Sequence, residues 1–351
     1  MREPSPLRVV QWTSGNVARQ SVRAIVERPD LELVGMYAFT PAKVGLDAGT
    51  LAGLDEELGV LATDDVEALL ALEPDCVAYM PLYPNIEEMA RLLRAGVNIV
   101  TTSEFLTGRA HGDEQRARLD AAAREGGASV FGSGVNPGWV QYVAAAASGP
   151  VHELEFVRIL ESFDLSFLTA DANQDDFGWG RPAGDADHAA DVQRAVYEFE
   201  DAADLLASLF GVELDGLRCE VRFAHAAEDL DVPGREVRAG TVAGIEVSWI
   251  GGVAGRDVLE LATRWVITSR LVEGWTALNG YEIDLRGAAG VKLRVDLVPG
   301  PDVRTVDDIV TFGCLVTAMP AINAIPAVVA ARPGIVTYAD LGPQTARFTS
   351  G

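Results

Sequence analysis

The sequence predicts an α/β protein in two domains, with a Rossmann-type parallel sheet in the first half of the chain and an α+β second half with a largely antiparallel or mixed sheet. Short apolar runs alternate with helical patterns over the first 150 residues, which is typical of βαβ units. After about Pro150 the strand-like segments alternate polar and apolar residues, as strands covered on one face do.

Five apolar runs in the first half predict parallel strands. They are Leu7–Gln11, Leu31–Tyr37, Asp75–Met80, Asn98–Thr102 and Ser129–Gly132. The helical patterns between them cover Val17–Glu27, Asp65–Leu72, Asn85–Ala95 and Gly112–Glu125. Gly96 and the pair Gly126–Gly127 stand where helix C-terminal caps belong. We therefore assign residues 1–150 to the first domain.

The second half reads as five strands and a long helix over His188–Phe210. The predicted strands are Glu153–Leu160, Leu217–His225, Val237–Ile250, Leu259–Ser269 and Val291–Val298. The nearly uncharged stretch Ile309–Ala331 is long enough to suggest a membrane span, but Pro320 within it favours two buried helices with a break. We expect residues 151–304 to form a substrate-binding and dimerisation domain, and helices within residues 305–351 to pack on the first domain.

Composition and charge exclude several classes of protein. A formal net charge of -24 at pH 7 repels phosphate backbones and anionic lipids, so we expect neither nucleic-acid nor membrane binding. The three cysteines are far apart and fit neither a disulfide framework nor a metal site. The N-terminus shows no export signal, so we expect a cytoplasmic protein. Neither the four histidines nor the cysteines show metal-ligand spacing, so we expect no bound metal.

The turn after the first predicted strand reads QWTSGNVA, where a dinucleotide fold carries G-x-G-x-x-G/A. Of that fingerprint only Gly15 and the final Ala18 are present, since Thr13 replaces the first glycine. A strand before the turn and a helix after it favour phosphate binding at the helix N-terminus. An ordinary strand-to-helix turn remains the alternative. The candidate cofactor-binding residues of the turn are Thr13, Ser14, Gly15, Asn16 and Val17.

The segment after the second strand, YAFTPAKVG, carries Thr40 and Lys43 and no acidic residue before Asp47. An NAD site usually has an acidic residue here for the ribose hydroxyls, whereas a cation and a hydroxyl suit a 2′-phosphate. Lys43 is one of only two lysines in the chain. We therefore expect NADP as the preferred cofactor, with NAD possible.

Glu104 follows the fifth predicted strand, in NIVTTSEFLTG, where ligands bind in open α/β sheets. Its neighbours from Val100 to Leu106 are apolar or hydroxylic, and such surroundings raise the pKa of a carboxyl group so that it can exchange protons near neutrality. Glu104 is the candidate catalytic residue. A helix-capping or surface glutamate is the alternative.

Further contacts are predicted around the remaining strand ends. Pro81 follows the strand Asp75–Met80, and Asn136 and Pro137 lie in the glycine-rich exit GSGVNPGW, so these three are candidate cofactor contacts. Aromatic residues nearby suit an apolar substrate, although a core position is the alternative. The candidate substrate contacts are Trp139, Phe163 and Phe167, the last two in a segment that also contains Phe177 and Trp179.

Four stretches, VVQWTSGNVARQ, TPAKVGLDAG, TTSEF and GSGVNPGW, resemble the dihydrodipicolinate-reductase-like group. Within it the chain is most similar to 2,4-diaminopentanoate dehydrogenase and the native NAD(P)H-dependent amine dehydrogenases. The usual family turn, W-G-x-G-N-V-G, differs here at Thr13 and Ala18. The His-His-x-x-K segment and the Ser-Gly-Thr loop of true dihydrodipicolinate reductases are not found in the sequence, which argues against that activity.

The resemblance implies an oxidoreductase that deaminates an amine reversibly, or aminates a small ketone or aldehyde with ammonia. It implies that Glu104 is the catalytic acid/base and that the enzyme is a homodimer built through the second domain. The strand Glu153–Leu160 and the turn after it correspond loosely to where diamine-specific members place polar substrate contacts. Here that turn reads ESFDLSF, with Phe163 and Phe167, which indicates a simpler, less polar substrate. Two alternatives remain open: an ammonia-independent NAD(P)H reductase of a C=N, C=C or C=O bond, and a non-catalytic NADP(H)-sensing protein.

Overall fold

The apolar runs of the first half form strands, and the helical patterns between them form helices, in a computed structural model that describes residues 5–169, 172–342 and 344–347. The chain divides into two compact units, one made of Met1–Val140 with Pro301–Gly351 and the other of Gln141–Gly300. The division at Val140 lies ten residues before the boundary expected at 150.

The elements are numbered in chain order. The first are β1 (Leu7–Trp12), α1 (Asn16–Val26), β2 (Leu31–Tyr37), α2 (Ala48–Ala52), β3 (Ala62–Thr63), α3 (Val66–Leu70), β4 (Cys76–Tyr79), α4 (Ile86–Arg94), β5 (Asn98–Thr101), α5 (Asp113–Gly126), β6 (Ser129–Gly132) and α6 (Trp139–Ala147). The next are β7 (His152–Asp164), α7 (His188–Ala195), α8 (Phe199–Leu209), β8 (Gly216–His225), β9 (Leu230–Val232), β10 (Arg235–Val237), β11 (Val242–Val253), β12 (Arg256–Val266), β13 (Gly280–Ala289) and β14 (Val291–Val295). The last are α9 (Val306–Val329) and β15 (Gly334–Ile335).

The first unit is built on a seven-stranded sheet in the order β15-β6-β5-β4-β1-β2-β3. All its strand pairs are parallel, which confirms the predicted Rossmann-type sheet. β4 and β6 are buried along their whole lengths, as strands with helices on both faces are. The five strands predicted in this half are all present, and β3 and β15 add short edges that the sequence analysis did not predict.

Helix α4 is fixed beneath the carboxyl edge of this sheet by polar contacts. Asn85 caps the helix, because its side chain accepts a hydrogen bond from the N–H of Glu88 at 3.2 Å. The Glu88 carboxylate in turn accepts hydrogen bonds from Trp12 Nε1 at 3.0 Å and from the Tyr79 hydroxyl at 2.6 Å. One carboxylate therefore joins α4 to the ends of β1 and β4.

The apolar stretch near the C-terminus forms one continuous helix, α9, and the predicted break at Pro320 is wrong. By length and composition alone α9 could cross a membrane, but its second half is a core helix of the first unit. The buried residues of that half are Ala318, Ala321, Ile322, Ala324, Ile325 and Val328. A proline inside a helix removes one backbone hydrogen bond and so destabilises the helix. We attribute the continuation of α9 through Pro320 and Pro326 to the packing of these buried residues, which offsets that loss.

The second unit contains a six-stranded sheet in the order β14-β13-β7-β12-β11-β8. Only β7 and β12 pair in parallel, which confirms the predicted mixed sheet. β7 continues four residues beyond Leu160, so Phe163 lies in a strand and not in the turn that the sequence suggested. β13 was not predicted, although Tyr281, Ile283 and Leu285 alternate there with more exposed residues.

Two further elements of the second unit differ from prediction. The long helix over His188–Phe210 is two helices, since Val196 leaves helical geometry at φ -129 and ψ 33. No glycine or proline marks this break, and both Val196 and Phe199 are buried on either side of the turn. The predicted strand Val237–Ile250 is interrupted at Gly240, which has a φ of +78.

Candidate active site

The carboxyl ends of β1, β2, β4, β5 and β6 meet at one edge of the parallel sheet. From β1 the chain passes to β2 on one side and later to β4 on the other, so the strand order reverses beside β1. Open α/β sheets bind ligands at such a reversal, outside the carboxyl ends of the strands. This edge is therefore the candidate active site.

Hydrogen bonds join each loop at this edge to its neighbour. They link the segment after β2 to the turn after β1, that turn to the exit of β4, the exit of β4 to that of β5, and the exit of β5 to that of β6. The four bonds are Lys43 Nζ to Ser14 Oγ at 2.9 Å, Thr13 Oγ1 to the Met80 carbonyl at 3.1 Å, Ser103 Oγ to the Pro81 carbonyl, and the Ser133 N–H to the Thr101 carbonyl at 2.9 Å. The structure thus brings the predicted residues of the first unit to one continuous edge.

Thr13 adopts the left-handed conformation that a glycine would take at this position of the turn, with φ +77. A β-branched residue in that region costs about 1–3 kcal/mol. Two contacts hold it there: its N–H donates to the Tyr37 carbonyl at 3.0 Å, and its hydroxyl donates to the Met80 carbonyl at 3.1 Å. The turn therefore keeps a glycine-like backbone without the first glycine.

The backbone at Gly15 faces open space. A Cβ built there would meet nothing within 4 Å. Gly15 is the N-cap of α1, and no side chain caps that helix, so the first N–H groups of α1 have no side-chain acceptor. Helix N-termini of this kind bind phosphate groups through backbone N–H and the helix dipole. Ser14 is buried beside Gly15, Asn16 is exposed and Val17 is half-buried.

The segment after β2 carries a cation and no available acid. Lys43 is half-buried and donates to Ser14 Oγ, so its charge lies next to the phosphate turn. Thr40 is exposed. The Asp47 carboxylate accepts N–H groups of α2 and of Leu58 through Oδ1. Burial raises its pKa, but these bonds outweigh burial and leave the pKa lowered. Asp47 is thus a helix cap and not a ribose ligand.

Three large apolar side chains that were not predicted as site residues are exposed at the exits of β2 and β4. They are Phe39, Leu82 and Tyr83, with 56%, 66% and 62% of their surface exposed. Phe39 packs edge-on against Tyr37, with ring centroids 4.8 Å apart. The sequence signal that could have identified Phe39 is an aromatic residue between a strand end and a proline turn, as in YAFTP.

Glu104 is half-buried in the loop between β5 and α5. Its neighbours Ser103 and Phe105 are almost wholly buried, at 2% and 1% exposed. Its main-chain carbonyl lies 2.6 Å from His111 Nε2. A partly exposed acid between buried residues at a strand end can reach a ligand while its backbone stays fixed.

The glycine-rich exit of β6 is a closed turn. The Gly134 N–H donates to the Pro137 carbonyl at 3.0 Å, and the peptide between Asn136 and Pro137 is cis. Ser133 Oγ lies 2.8 Å from the Tyr338 hydroxyl, which ties the turn to the C-terminal segment. Asn136, Pro137 and Trp139 are half-buried at this edge.

The other two predicted substrate contacts lie in the second unit. Phe163 packs against Tyr281 in a T-shaped pair, with centroids 5.6 Å apart, and Phe167 is half-buried. Trp179 is buried, and Phe177 packs on Trp265 at 4.9 Å. Trp179 therefore belongs to the core, while the roles of Phe163 and Phe167 stay predictions. Within residues 5–169, 172–342 and 344–347, no group of three His, Cys, Asp or Glu side chains could hold a metal ion.

Comparison with known proteins agrees with this architecture. Residues 194–350 match the family model of the 2,4-diaminopentanoate dehydrogenase C-terminal domain. An amine dehydrogenase from Streptomyces virginiae is 35% identical over 269 residues, which are 73% of this chain and 74% of that protein. The chain belongs to the amine dehydrogenase family. It is therefore an NAD(P)-dependent oxidoreductase of the family that acts on amines.

Solved structures show the same fold. The amine dehydrogenase from Mycobacterium smegmatis superposes with a TM-score of 0.78 at 24% identity, over 99% of both chains. The WlbA dehydrogenase from Bordetella pertussis, solved with NADH and UDP-GlcNAcA, has a TM-score of 0.50 at 14% identity, over 93% of this chain and 88% of that one. A shorter similarity, 42% over 67 residues, links 19% of this chain to 24% of the 4-hydroxy-tetrahydrodipicolinate reductase of Trichormus variabilis.

Proposed function

We propose that this amine dehydrogenase catalyses an NADP-dependent, reversible oxidative deamination, which in reverse is the reductive amination of a small ketone or aldehyde with ammonia. The observation that carries the proposal is the position of Glu104, a half-buried acid at the carboxyl edge of the parallel sheet. It lies three residues past Thr101, the hydrogen-bonded last residue of β5, in a chain whose family acts on amines.

The residues of the first unit fit a nicotinamide dinucleotide. The pyrophosphate would lie over the open backbone at Gly15 and the uncapped start of α1. The 2′-phosphate would meet Lys43 and Thr40, and the adenine would lie against Phe39 and Tyr83. Nearer the substrate, we propose Pro81, Asn136 and Pro137 as contacts of the nicotinamide ring. The nicotinamide, when bound, supplies the hydride that reduces the substrate carbon.

Glu104 carries the proton transfers. As a carboxylate it accepts a proton from ammonium, so that free ammonia attacks the substrate carbonyl. The resulting carboxylic acid protonates the departing hydroxyl of the carbinolamine, which leaves as water. The iminium cation that remains is stabilised by the negative charge that Glu104 has regained. Trp139, Phe163 and Phe167 are proposed as apolar substrate contacts.

Ammonia dependence tests the proposed reaction. NADPH oxidation is followed with small ketones and aldehydes, with and without ammonium. We expect NADPH to be consumed only when ammonium is present, and an amine to be formed as the product. Equal rates without ammonium would instead identify an ammonia-independent reductase. Absence of turnover across a broad panel of carbonyls and amines, with NADPH still bound, would identify a sensing protein.

Lys43→Ala is expected to reduce NADP preference. Removing the cation beside Ser14 should lower kcat/KM for NADPH about tenfold, because a charge-assisted contact to the 2′-phosphate is lost, while kcat/KM for NADH changes less than twofold. Lys292→Ala, at the other lysine, is the matched control and should change neither value. A wild-type enzyme that strongly prefers NADH would contradict the cofactor assignment.

Gly15→Ala is expected to weaken cofactor binding without destabilising the fold. The new methyl group meets no protein atom within 4 Å, and the φ of -74 is allowed for alanine. It would instead occupy space that the pyrophosphate needs, and we expect the Kd for NADPH to rise about tenfold or more, a loss of about 1.4 kcal/mol. The free energy of unfolding, measured with urea, should be unchanged or slightly higher than that of the wild type. Gly216→Ala, also in open space, is the control for both measurements.

The oligomeric state and the cellular location of the enzyme are also proposals. We propose a cytoplasmic homodimer built through the second unit, on the basis of the family resemblance. The sheet of that unit carries three ion pairs, in which Glu246 pairs with Arg222 and with Arg264, and Arg158 pairs with Glu260 at 2.9 Å. A monomeric mass by light scattering at micromolar concentration would reject the dimer.

A further inference from the structure

The loop that carries Glu104 is held at several points along its length. Its first residues are tied to β5 and β4: the Ser103 N–H donates to Thr101 Oγ1 at 3.0 Å, and Ser103 Oγ donates to the Pro81 carbonyl. The residue after Glu104, Phe105, is only 1% exposed. The peptides on both sides of Glu104 are therefore not free to move independently of the sheet.

The Phe105 main chain lies directly against β6. A Cβ added at Gly132 would come within 1.6 Å of the Phe105 carbonyl oxygen, so only a glycine allows this approach. The Phe105 ring is enclosed from the other side by Gly108, where φ is +80 and a Cβ would come within 2.9 Å of the ring. Phe105 thus fixes the loop on the side facing the sheet.

His111 closes the loop from its far end. Its Nε2 lies 2.6 Å from the Glu104 carbonyl oxygen, and its ring stacks on Phe105 with centroids 5.8 Å apart and planes inclined by 19°. A carbonyl can only accept, so Nε2 carries the hydrogen in the neutral imidazole and also in the imidazolium. The hydrogen bond therefore survives protonation of His111.

We propose that His111 is a positioning residue for Glu104, holding the peptide that carries the catalytic carboxylate. The inference rests on the proposed role of Glu104. His111 need not touch substrate or cofactor: it restrains the main chain from which the Glu104 side chain departs. A displacement of about 1 Å at a reacting group can cost about 100-fold in rate, so a restraint of this kind bears on kcat rather than on cofactor affinity.

Two substitutions separate the hydrogen bond from the ring contact. His111→Phe keeps a ring for Phe105 and loses the donor, whereas His111→Gln loses the ring and keeps an N–H donor at a similar reach. We expect His111→Phe to lower kcat about 10- to 100-fold, with less than a twofold change in KM for NADPH, and His111→Gln to recover most of that loss. His152→Phe, at an exposed histidine in the second unit, should leave kcat unchanged.

The outcomes distinguish this inference from the proposed function. Full kcat in His111→Phe, or His111→Gln no better than His111→Phe, would overturn the positioning role. Parallel losses of kcat, cofactor affinity and thermal stability in both variants would show a merely structural histidine and would also overturn it. If His111→Phe does not fold, His111→Ala compared with His111→Gln gives the same test. Glu104→Gln, assayed alongside, reports separately on the proposed function: if it is inactive while His111→Phe is normal, only the positioning inference fails.

Discussion

Glu104→Gln is expected to lower kcat for reductive amination by about 10²- to 10⁴-fold, the usual contribution of a general acid/base. Glutamine has nearly the same shape and cannot exchange a proton, so the loss reports on chemistry and not on packing. The Kd for NADPH, measured by quenching of protein fluorescence, should stay within twofold of wild type. The same loss should appear in the deamination direction, because the forward and reverse reactions share one transition state.

The matched control for this experiment is Glu114→Gln, at an exposed acid in the first turn of α5. It removes the same charge from the same region of the chain and should leave kcat unchanged. Retention of full kcat in Glu104→Gln would remove the acid/base assignment. A fall in cofactor affinity as large as the fall in kcat would show that the residue serves binding instead.

Gly132→Ala is expected to destabilise the first unit by about 3 kcal/mol and to abolish most activity. Its Cβ would lie 1.6 Å from the Phe105 carbonyl oxygen, closer than any contact can be, so either β6 or the loop bearing Glu104 must move. Overpacking of a buried site usually costs about 1–3 kcal/mol. Urea unfolding measures the loss of stability, and kcat measured well below the unfolding midpoint reports displacement of the loop.

Gly134→Ala provides the control two residues further along the same exit. There the nearest atoms to a new Cβ are the Pro137 carbonyl oxygen at 3.5 Å and Thr317 Cγ2 at 3.7 Å, both ordinary contacts. We expect its unfolding midpoint to match that of the wild type. An unchanged midpoint in Gly132→Ala would mean that the loop does not press on β6 as described.

The elements that the sequence predicted well are those determined by local pattern. β2 and β6 begin and end where the apolar runs do, because each is a continuous run of strand-forming residues in the interior of the sheet; β6 is buried along its whole length and β2 over most of it. The prediction of a helix break at Pro320 was wrong because it did not depend on a pattern of several residues. It depended on one residue, whereas α9 is stabilised by six buried residues spread along its second half.

The candidate site was predictable in part. The alternation of strands and helices indicated that the turn after β1 and Glu104 after β5 lie at the same edge of the sheet, as they do in the structure, while their binding and catalytic roles stay predictions. Two features of the site were not predicted: the contact of His111 with Glu104 and the exposed ring of Phe39. Both depend on how irregular segments fold, and the sequence carries no periodic signal for such folding. The helix break at Val196 was missed on the same ground, since it follows from packing and not from a glycine or proline.

The conformation of Thr13 bears on how dinucleotide-binding turns are found in other sequences. A search that counts glycines would score this turn poorly, because one of three is present. The backbone at Thr13 nevertheless has a positive φ of +77, a conformation that glycine adopts without strain. In this turn the dihedral angle is kept without the glycine, and the Thr13 hydroxyl supports it by donating a hydrogen bond to the Met80 carbonyl. A motif definition that admits threonine at this position, when the exit of a neighbouring strand lies beside it, would accept this turn, which a strict glycine pattern omits.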